Sequence, residues 1–498
     1  MGDAAPTVVI GAGPAGLTAA WLLARHRLPT LVLEKDAQVG GIARTVEYKG
    51  FRFDIGGHRF FTKVGIVQKL WRDTLGAELL RRPRLSRIYY GGKFFDYPLK
   101  PMNALRGLGA LNAFLVLLSY LWIQIRPIRP ELTFEDWVSN RFGRRLYTIF
   151  FKTYTEKVWG IPCTRIGAQW AAQRIKGLSL VRAIIGMLLP QRSSSRQITT
   201  LIDAFEYPRL GPGMMWQAFH ADVVAHGARV ELAAPVRAIE HAEGRIVAVE
   251  YEQHRERHRI AVSNLVATMP LRELIHSLVP AAPPQVKAAA DRLHYRDFLT
   301  VALIVDAPAL FPDNWIYVHD PRVKLGRIQN FKNWSPDMVP DPSKTCLGLE
   351  YFCFEGDGLW NMADADLIRL GTLEVTEIGL LGGAAVIDGT VVRMAKAYPV
   401  YDEGFEEALA VITRYVRSFS NLQVAGRNGL HKYNNQDHSM VTALLAAQNL
   451  LGARHDVWDV NADDEYHEEG DLDFGNLFAD VSQLEATQPH VPPGPATD

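Results

Sequence analysis

Three glycines near the start of the chain are spaced to hold a phosphate. In Gly11-x-Gly13-x-x-Gly16 the first permits a tight turn and the second lets the backbone approach a pyrophosphate. The third lets a helix pack closely on the preceding strand. A helix beginning at this turn offers unpaired N–H groups and the positive end of its dipole to the phosphates. Glu34, 23 positions after Gly11, is placed to accept hydrogen bonds from a ribose. A glycine-rich turn on its own is weak evidence. A turn preceded by a strand, followed by a helix and completed by an acid at this distance points to a dinucleotide.

The elements that must position these residues are legible around them. Thr7–Ile10 reads as a short buried strand, residues 17–26 as an Ala/Leu-rich helix, and Thr30–Leu33 as a second strand ending at Glu34. Together they form one βαβ unit. Residues 66–200 read as mostly helical with long apolar faces. Strand-like alternation returns at 229–232 and 245–251, with further strands expected at 300–305, 345–354 and 390–395 and a helix at 444–451. From Asp456 the chain turns acidic and ends in PHVPPGPATD, which is expected to be a solvated, partly disordered tail.

Composition narrows the class. A chain of 498 residues that is 48% hydrophobic and 22% charged is an ordinary folded protein, which excludes collagen-like, coiled-coil and wholly disordered chains. Fifty-four Lys+Arg balance 54 Asp+Glu, so no global field favours nucleic acid, and none is expected as a partner. Three cysteines, Cys163, Cys346 and Cys353, make no disulfide framework and no CxxC pair, so no metal site is expected and a cytoplasmic setting is the simplest reading. The N-terminus has no basic and apolar regions ahead of a cleavage site, and no secretory signal is read from it. Residues 108–125, LGALNAFLVLLSYLWIQI, sit between Arg106 and the pair Arg126 and Arg129. The expected placement is a buried helix in a helical subdomain. The alternative is a helix lying on a membrane surface, at the inner face of the membrane, which the second apolar stretch at 181–189 keeps open. A span is rejected because it would put two halves of one nucleotide fold on opposite sides.

Beyond the first unit, Glu34-Lys-Asp-Ala-Gln-Val-Gly40-Gly41-Ile-Ala-Arg44 resembles the second glycine pair of the flavoproteins that include amine oxidases and phytoene desaturases. The segment around Val236 resembles the one that meets their adenine. FAD rather than NAD is therefore the cofactor the resemblance implies. Phe53-Asp-Ile-Gly56-Gly57-His58, Tyr154-Thr-Glu-Lys157-Val-Trp159, Phe331-Lys-Asn333-Trp-Ser335-Pro336 and Asn435-Gln436-Asp437-His438-Ser439 together resemble UDP-galactopyranose mutases, nearest the eukaryotic type. The resemblance is colinear from about residue 7 to 452.

It implies an α/β protein: an FAD-binding doubly wound (Rossmann-like) domain with an inserted helical substrate domain and a mixed, antiparallel sheet domain. The expected boundaries are 1–65, 206–275 and 396–455 for the FAD-binding segments, 66–205 for the helical domain, 276–395 for the substrate-binding sheet, and 456–498 for the tail. The implied reaction is a sugar-nucleotide pyranose/furanose interconversion serving cell-wall polysaccharide synthesis. Reduced flavin N5 attacks the anomeric carbon with no net redox change, and NAD(P)H is the candidate reductant. Residue by residue, the resemblance assigns His58 to the flavin edge and Arg174 and Arg327 to a clamp on the departing diphosphate. Tyr97, Trp159, Tyr317, Tyr398 and Tyr433 would meet substrate. Gly11, Gly13, Gly16, Glu34, Gly40, Gly41, Arg44, Gly57, Val236, Gly426, Arg427, Asp437 and His438 would meet FAD. Taken alone, an arginine reads as a surface charge or a structural ion pair, and a buried tyrosine as core; the colinear motifs are what give these residues a substrate role.

The sequence departs from the family where base and sugar are read. Leu99 and Lys100 replace a Phe-Gln pair, Thr155 replaces an Asn, and Arg59-Phe60 replace a Val-Ile pair. Loss of an amide that reads a base edge removes specificity more than catalysis, which leaves the nucleotide and sugar open. The alternative function is an FAD-dependent oxidoreductase of amine oxidase or desaturase type, using oxidised flavin as hydride acceptor on a membrane-derived substrate.

Overall fold

The computed structural model describes residues 5–97, 99, 101–168 and 204–460. The expectations for Arg174, for 181–189 and for the tail beyond 460 lie outside the described residues.

Two four-residue apolar runs, β1 (Thr7–Ile10) and β2 (Thr30–Leu33), are buried along their whole length, as strands covered on both faces must be. They pair in parallel at the centre of a five-stranded sheet. Asn264–Ala267 lies on the far side of β1 and Leu422–Val424 beyond it, while Arg229–Glu231 flanks β2. All five strands run parallel, though they come from three distant parts of the chain. Between β1 and β2 the chain crosses over as α1 (Pro14–Arg25), whose residues Ala15 to Ala24 are all buried. A helix apolar all round needs cover on several faces. The helices Gly213–Ala225 and Gln436–Leu450 supply it, and Arg25 ties α1 to the former through two nitrogens on the Asp222 carboxylate at 3.0–3.2 Å. A four-stranded sheet, ordered Glu256–Ala261, Arg245–Gln253, Val236–Ala242 and Leu278–Val279, packs into the same core.

The second body of the fold is a seven-stranded mixed sheet. Its order is Val386–Pro399, Tyr295–Val305, Thr345–Cys353, Arg327–Asn330, Trp315–Val318, Ser86–Tyr90 and Lys93–Asp96, antiparallel except where Trp315–Val318 meets Ser86–Tyr90. The hairpin at 86–96 thus serves this sheet, although it falls in the stretch expected to be mostly helical. Two strands also begin earlier than alternation suggests, because polar residues at their ends are satisfied within the fold. Arg296 is one: it donates to the carbonyls of Lys157, Val158 and Phe352 at 2.9–3.1 Å.

The helical part carries its own punctuation. Phe134–Phe142 starts with a capping box in which Thr133 Oγ1 accepts from Asp136 N–H and the Asp136 carboxylate accepts from Thr133 N–H. The 108–125 stretch is broken at Gly109, whose φ is +79°, into Pro101–Leu108 and Ala110–Ile125. The second of these is not the buried helix expected. Only Val116, Tyr120 and Ile123 are buried, and most of its apolar side chains face outward. Among the described residues no helix is long and apolar enough to cross a membrane.

Candidate active site

A cavity of about 680 Å³ joins the two sheets, within the range that takes a cofactor or a drug-sized ligand. Its wall begins at the carboxyl ends of β1 and β2 with Gly11, Gly13, Ala15 and Glu34, and includes Val236, Gly41, Gly57, His58, Gly426 and Arg427. Tyr97, Arg327, Tyr398, Tyr433 and Asp437 line it as well.

The glycines are required by geometry. A Cβ on Gly16 would stand 1.7 Å from the Gly11 carbonyl oxygen, so only glycine lets α1 start this close to the turn. A Cβ on Gly13 would stand 3.8 Å from Gly41 Cα and one on Gly41 only 3.2 Å from Gly13 Cα, so the two glycine pairs read separately from the sequence form one bare cradle. The first turn of α1 opens onto it, with N–H groups that a helix leaves unpaired. Both oxygens of Glu34 accept backbone N–H groups, from Ala12 at 2.6 Å and Asp36 at 2.9 Å. Burial raises its pKa against those two bonds. This fixes the carboxylate at the cavity wall with lone pairs to spare for a ribose. The residues fit FAD: a phosphate cradle, an acid at ribose distance and room for a ring system beyond.

Across the cavity the mixed sheet sets the chemistry by register. Tyr317 pairs with Arg327, and Arg327 with Glu350, on adjacent strands. Directly paired residues share a face, so phenol, guanidinium and carboxylate stand in one row. Arg327 Nε forms an ion pair with Glu350, whose side chain is fully buried. Arg327 Nη2 donates to Tyr398 Oη at 3.3 Å, and Gln329 Nε2 holds the other Glu350 oxygen at 2.6 Å. Burial would lower the Arg327 pKa, but Glu350 and the phenols of Tyr154, Tyr398 and Tyr317 outweigh it and hold the group charged. Burial raises the pKa of Tyr154 and Tyr398, which keeps both as neutral O–H donors.

His58 lies on the cavity wall with Nε2 2.9 Å from the Ile55 carbonyl. Burial, reinforced by Arg427 and Arg327, lowers its pKa to about 4. The ring is therefore neutral near pH 7, with its proton on Nε2 toward that carbonyl. Gly56, at φ +91°, is the glycine this turn demands, and Gly57 is held bare by Gln329, 2.9 Å from where a Cβ would sit.

Not every expected residue reaches the cavity. Arg44 is drawn aside by the Asp36 carboxylate at 2.6 Å, and Gly40 supports the turn at φ +103°. Trp159 is buried edge-on to Tyr433. Tyr317 sits behind Tyr97, ring centroids 4.6 Å apart. His438 is buried beside the Asp437 carboxylate, 3.1 Å away. Arg427 spends its N–H groups on the carbonyls of Asn434 and Ala397 at 2.8–3.0 Å and lies over the rings of Tyr398 and Tyr433. It stacks these two tyrosines, whose planes differ by 17°. Lys157 plays a similar role by donating to the carbonyls of Val318, Asp320 and Leu325 at 2.6–3.2 Å, which fixes the loop leading into Arg327.

Sequence reasoning missed Glu350, Gln329, Glu273 and Lys396, all at or against the cavity. For Glu350 a signal existed: it is the lone charge in TCLGLEYFC, a strand buried at every position, and a buried carboxylate needs a cation.

A profile of the family described as flavin containing amine oxidoreductase matches residues 14–362. Among solved structures, reduced UDP-galactopyranose mutase superposes with a TM-score of 0.78 at 21% identity, covering 92% of this chain and 98% of that one. At this identity the likeness shows the fold. Curated relatives match over short segments. An inactive all-trans-retinol 13,14-reductase of Danio rerio is 52% identical over 54 residues, 11% of this chain and 9% of that protein. A 4,4'-diapophytoene desaturase (4,4'-diapolycopene-forming) of a Methylomonas species is 31% identical over 71 residues, 14% of each. The chain therefore spans a small fraction of the length of these relatives.

Proposed function

The chain belongs to the flavin-containing amine oxidoreductase family with FAD as its cofactor, and within that family we propose that it is a sugar-nucleotide pyranose/furanose mutase. The observation that carries this reading is Arg327, a guanidinium on the cavity wall among the phenols of Tyr398, Tyr317 and Tyr154. A charged fork with neutral O–H donors around it suits the oxygens of a departing diphosphate. An apolar substrate would give it no work.

The chemistry supplied by bound, reduced FAD is nucleophilic attack on the anomeric carbon, with no net redox change. This chain's residues hold the pieces. Gly11, Gly13, Gly41 and the first turn of α1 take the FAD pyrophosphate, and Glu34 takes the ribose. Arg327 and Tyr398 receive the negative charge that develops as the diphosphate leaves and keep it close for recapture; Glu350 fixes the guanidinium's direction. Tyr97 and Tyr433 complete the wall. Neutral His58 cannot act as an acid near pH 7. NAD(P)H is the proposed reductant. Arg174 keeps its place in the proposal as the second arginine of the clamp.

One observation favours a second reading. Glu350 offsets the charge of Arg327, and the local match to a desaturase agrees with a hydride-accepting flavin on a less polar substrate. The discriminating experiment presents dithionite-reduced or oxidised protein with UDP-, GDP- and dTDP-hexopyranoses and separates the products by chromatography. Isomerisation only with reduced flavin supports the mutase and identifies the nucleotide. No isomer from any donor, with hydrogen peroxide released in air from an amine or apolar substrate, hands the function to the oxidoreductase.

A further inference from the structure

The helix Ala110–Ile125 has its apolar sides reversed. Val116, Tyr120 and Ile123 face the protein, while Leu111, Phe114, Leu117, Leu118, Leu121, Trp122 and Ile125 face outward. The outward residues recur at i, i+3, i+6, i+7, i+10, i+11 and i+14, a stripe about 140° wide when each residue turns the helix by about 100°, with no polar side chain inside it. Their exposure is large, 72% for Leu111 and 75% for Ile125. A surface helix normally turns its polar side to solvent. This one presents a continuous apolar ridge, the kind of patch that marks an interaction site.

Charge says what covers it. From Tyr97 to Pro130 the sequence contains no Asp or Glu but has Lys100, Arg106, Arg126 and Arg129, and all three arginines are exposed. Arg126 lies over the Trp122 ring at 5.1 Å, an amphipathic pair suited to a headgroup boundary. Along one flank of the helix opens a groove lined by Asn112, Ser119, Arg144 and Arg145. Arg145 donates to Asn112 Oδ1 at 2.6 Å, while the Arg144 guanidinium makes no hydrogen bond or ion pair among the described residues. Sixteen residues reach about 24 Å, short of a roughly 30 Å hydrocarbon core. The helix can lie along a bilayer but not cross it.

We propose that Ala110–Ile125 is an in-plane membrane anchor, its apolar ridge sunk among the acyl chains of a bilayer and its arginines on anionic headgroups. This holds whichever reaction the active site performs. Exposed Arg106, Arg126 and Arg129, with no acid between residues 97 and 130, complement a phosphate-rich surface.

The test uses full-length holoprotein sedimented with vesicles of phosphatidylcholine alone or mixed with phosphatidylglycerol. Binding is expected to the mixed vesicles, weakening as salt is added. Leu118→Glu/Leu121→Glu should abolish it, and Arg126→Gln/Arg129→Gln should weaken it about 25-fold, taking about fivefold per arginine. Quenching of indole emission by brominated lipid should fall in Trp122→Phe. Retained flavin absorbance shows that each variant is folded. The proposal is overturned if wild type fails to bind mixed vesicles, if it binds both vesicle types equally, or if the Leu118/Leu121 variant binds as wild type does. It is also overturned if wild type is a dimer in sedimentation velocity that the same variant dissolves, since a second copy would then cover the ridge.

Discussion

Replacing Arg327 by alanine perturbs two things at once, and the structure says how to separate them. Glu350 is fully buried and its only cationic neighbour is Arg327 among the described residues, so Arg327→Ala leaves a buried carboxylate without its ion pair. Breaking a buried pair from one side costs about 3–5 kcal/mol. Arg327→Ala/Glu350→Gln removes the stranded charge. The amide introduced by Glu350→Gln keeps a carbonyl for the Gln329 amide, so the double variant should recover most of that loss. Turnover should behave differently. Removing one donor that stabilises developing charge costs about 10²-fold or more, and neutralising Glu350 does not replace it. Denaturant unfolding of wild type, both single variants and the double variant gives the stability cycle, and isomerisation by reduced protein gives the activity cycle. If Arg327→Ala unfolds at the wild-type midpoint, the ion pair does not hold the sheet row together. If the double variant regains turnover, the guanidinium does not serve the substrate.

Further outcomes follow from individual contacts. Gly16→Ala drives a Cβ into the Gly11 carbonyl and should lose both flavin and near-native circular dichroism, whereas Gly13→Leu, whose side chain enters the cavity, should fold and elute from gel filtration colourless. Asp54, buried and bonded by Tyr207 and Thr45, has its pKa raised by burial from 3.8 to about 7. The folded state then binds more protons than the unfolded between those values, so this group's contribution is full below about pH 4 and is lost as pH rises through 7, by up to about 4 kcal/mol. In Asp54→Asn that slope should be absent from unfolding measured across about pH 4 to 8, and an unchanged slope would reject the assignment. Lys157→Met strands three carbonyls and should cost at least about 1–3 kcal/mol, with a fall in turnover that Lys157→Arg partly restores; equal thermal melting of Lys157→Met and wild type would show that the loop does not depend on it.

The order of residue types specifies the part of the protein built from local rules. A phosphate turn needs glycines at set spacings, a buried parallel strand needs an unbroken apolar run, and an acid must follow the second strand. All of these are short-range demands, so Gly11, Gly13, Gly16 and Glu34 were readable one after another and pointed to a dinucleotide, while the choice of FAD came from the resemblance of the second glycine pair to flavoproteins. Which charges are spent on partners depends on how distant segments meet in the fold. Arg44, Arg327 and Arg427 look alike in sequence. Yet Arg44 is tied to Asp36, Arg427 to two backbone carbonyls, and Arg327 to Glu350, which lies on a neighbouring strand and meets it through sheet register. The same holds for Ala110–Ile125. Its apolar stretch is evident in the letters, but which side faces out depends on what the rest of the chain packs against Val116, Tyr120 and Ile123. Register and packing are long-range agreements between segments, and no single segment's composition records them.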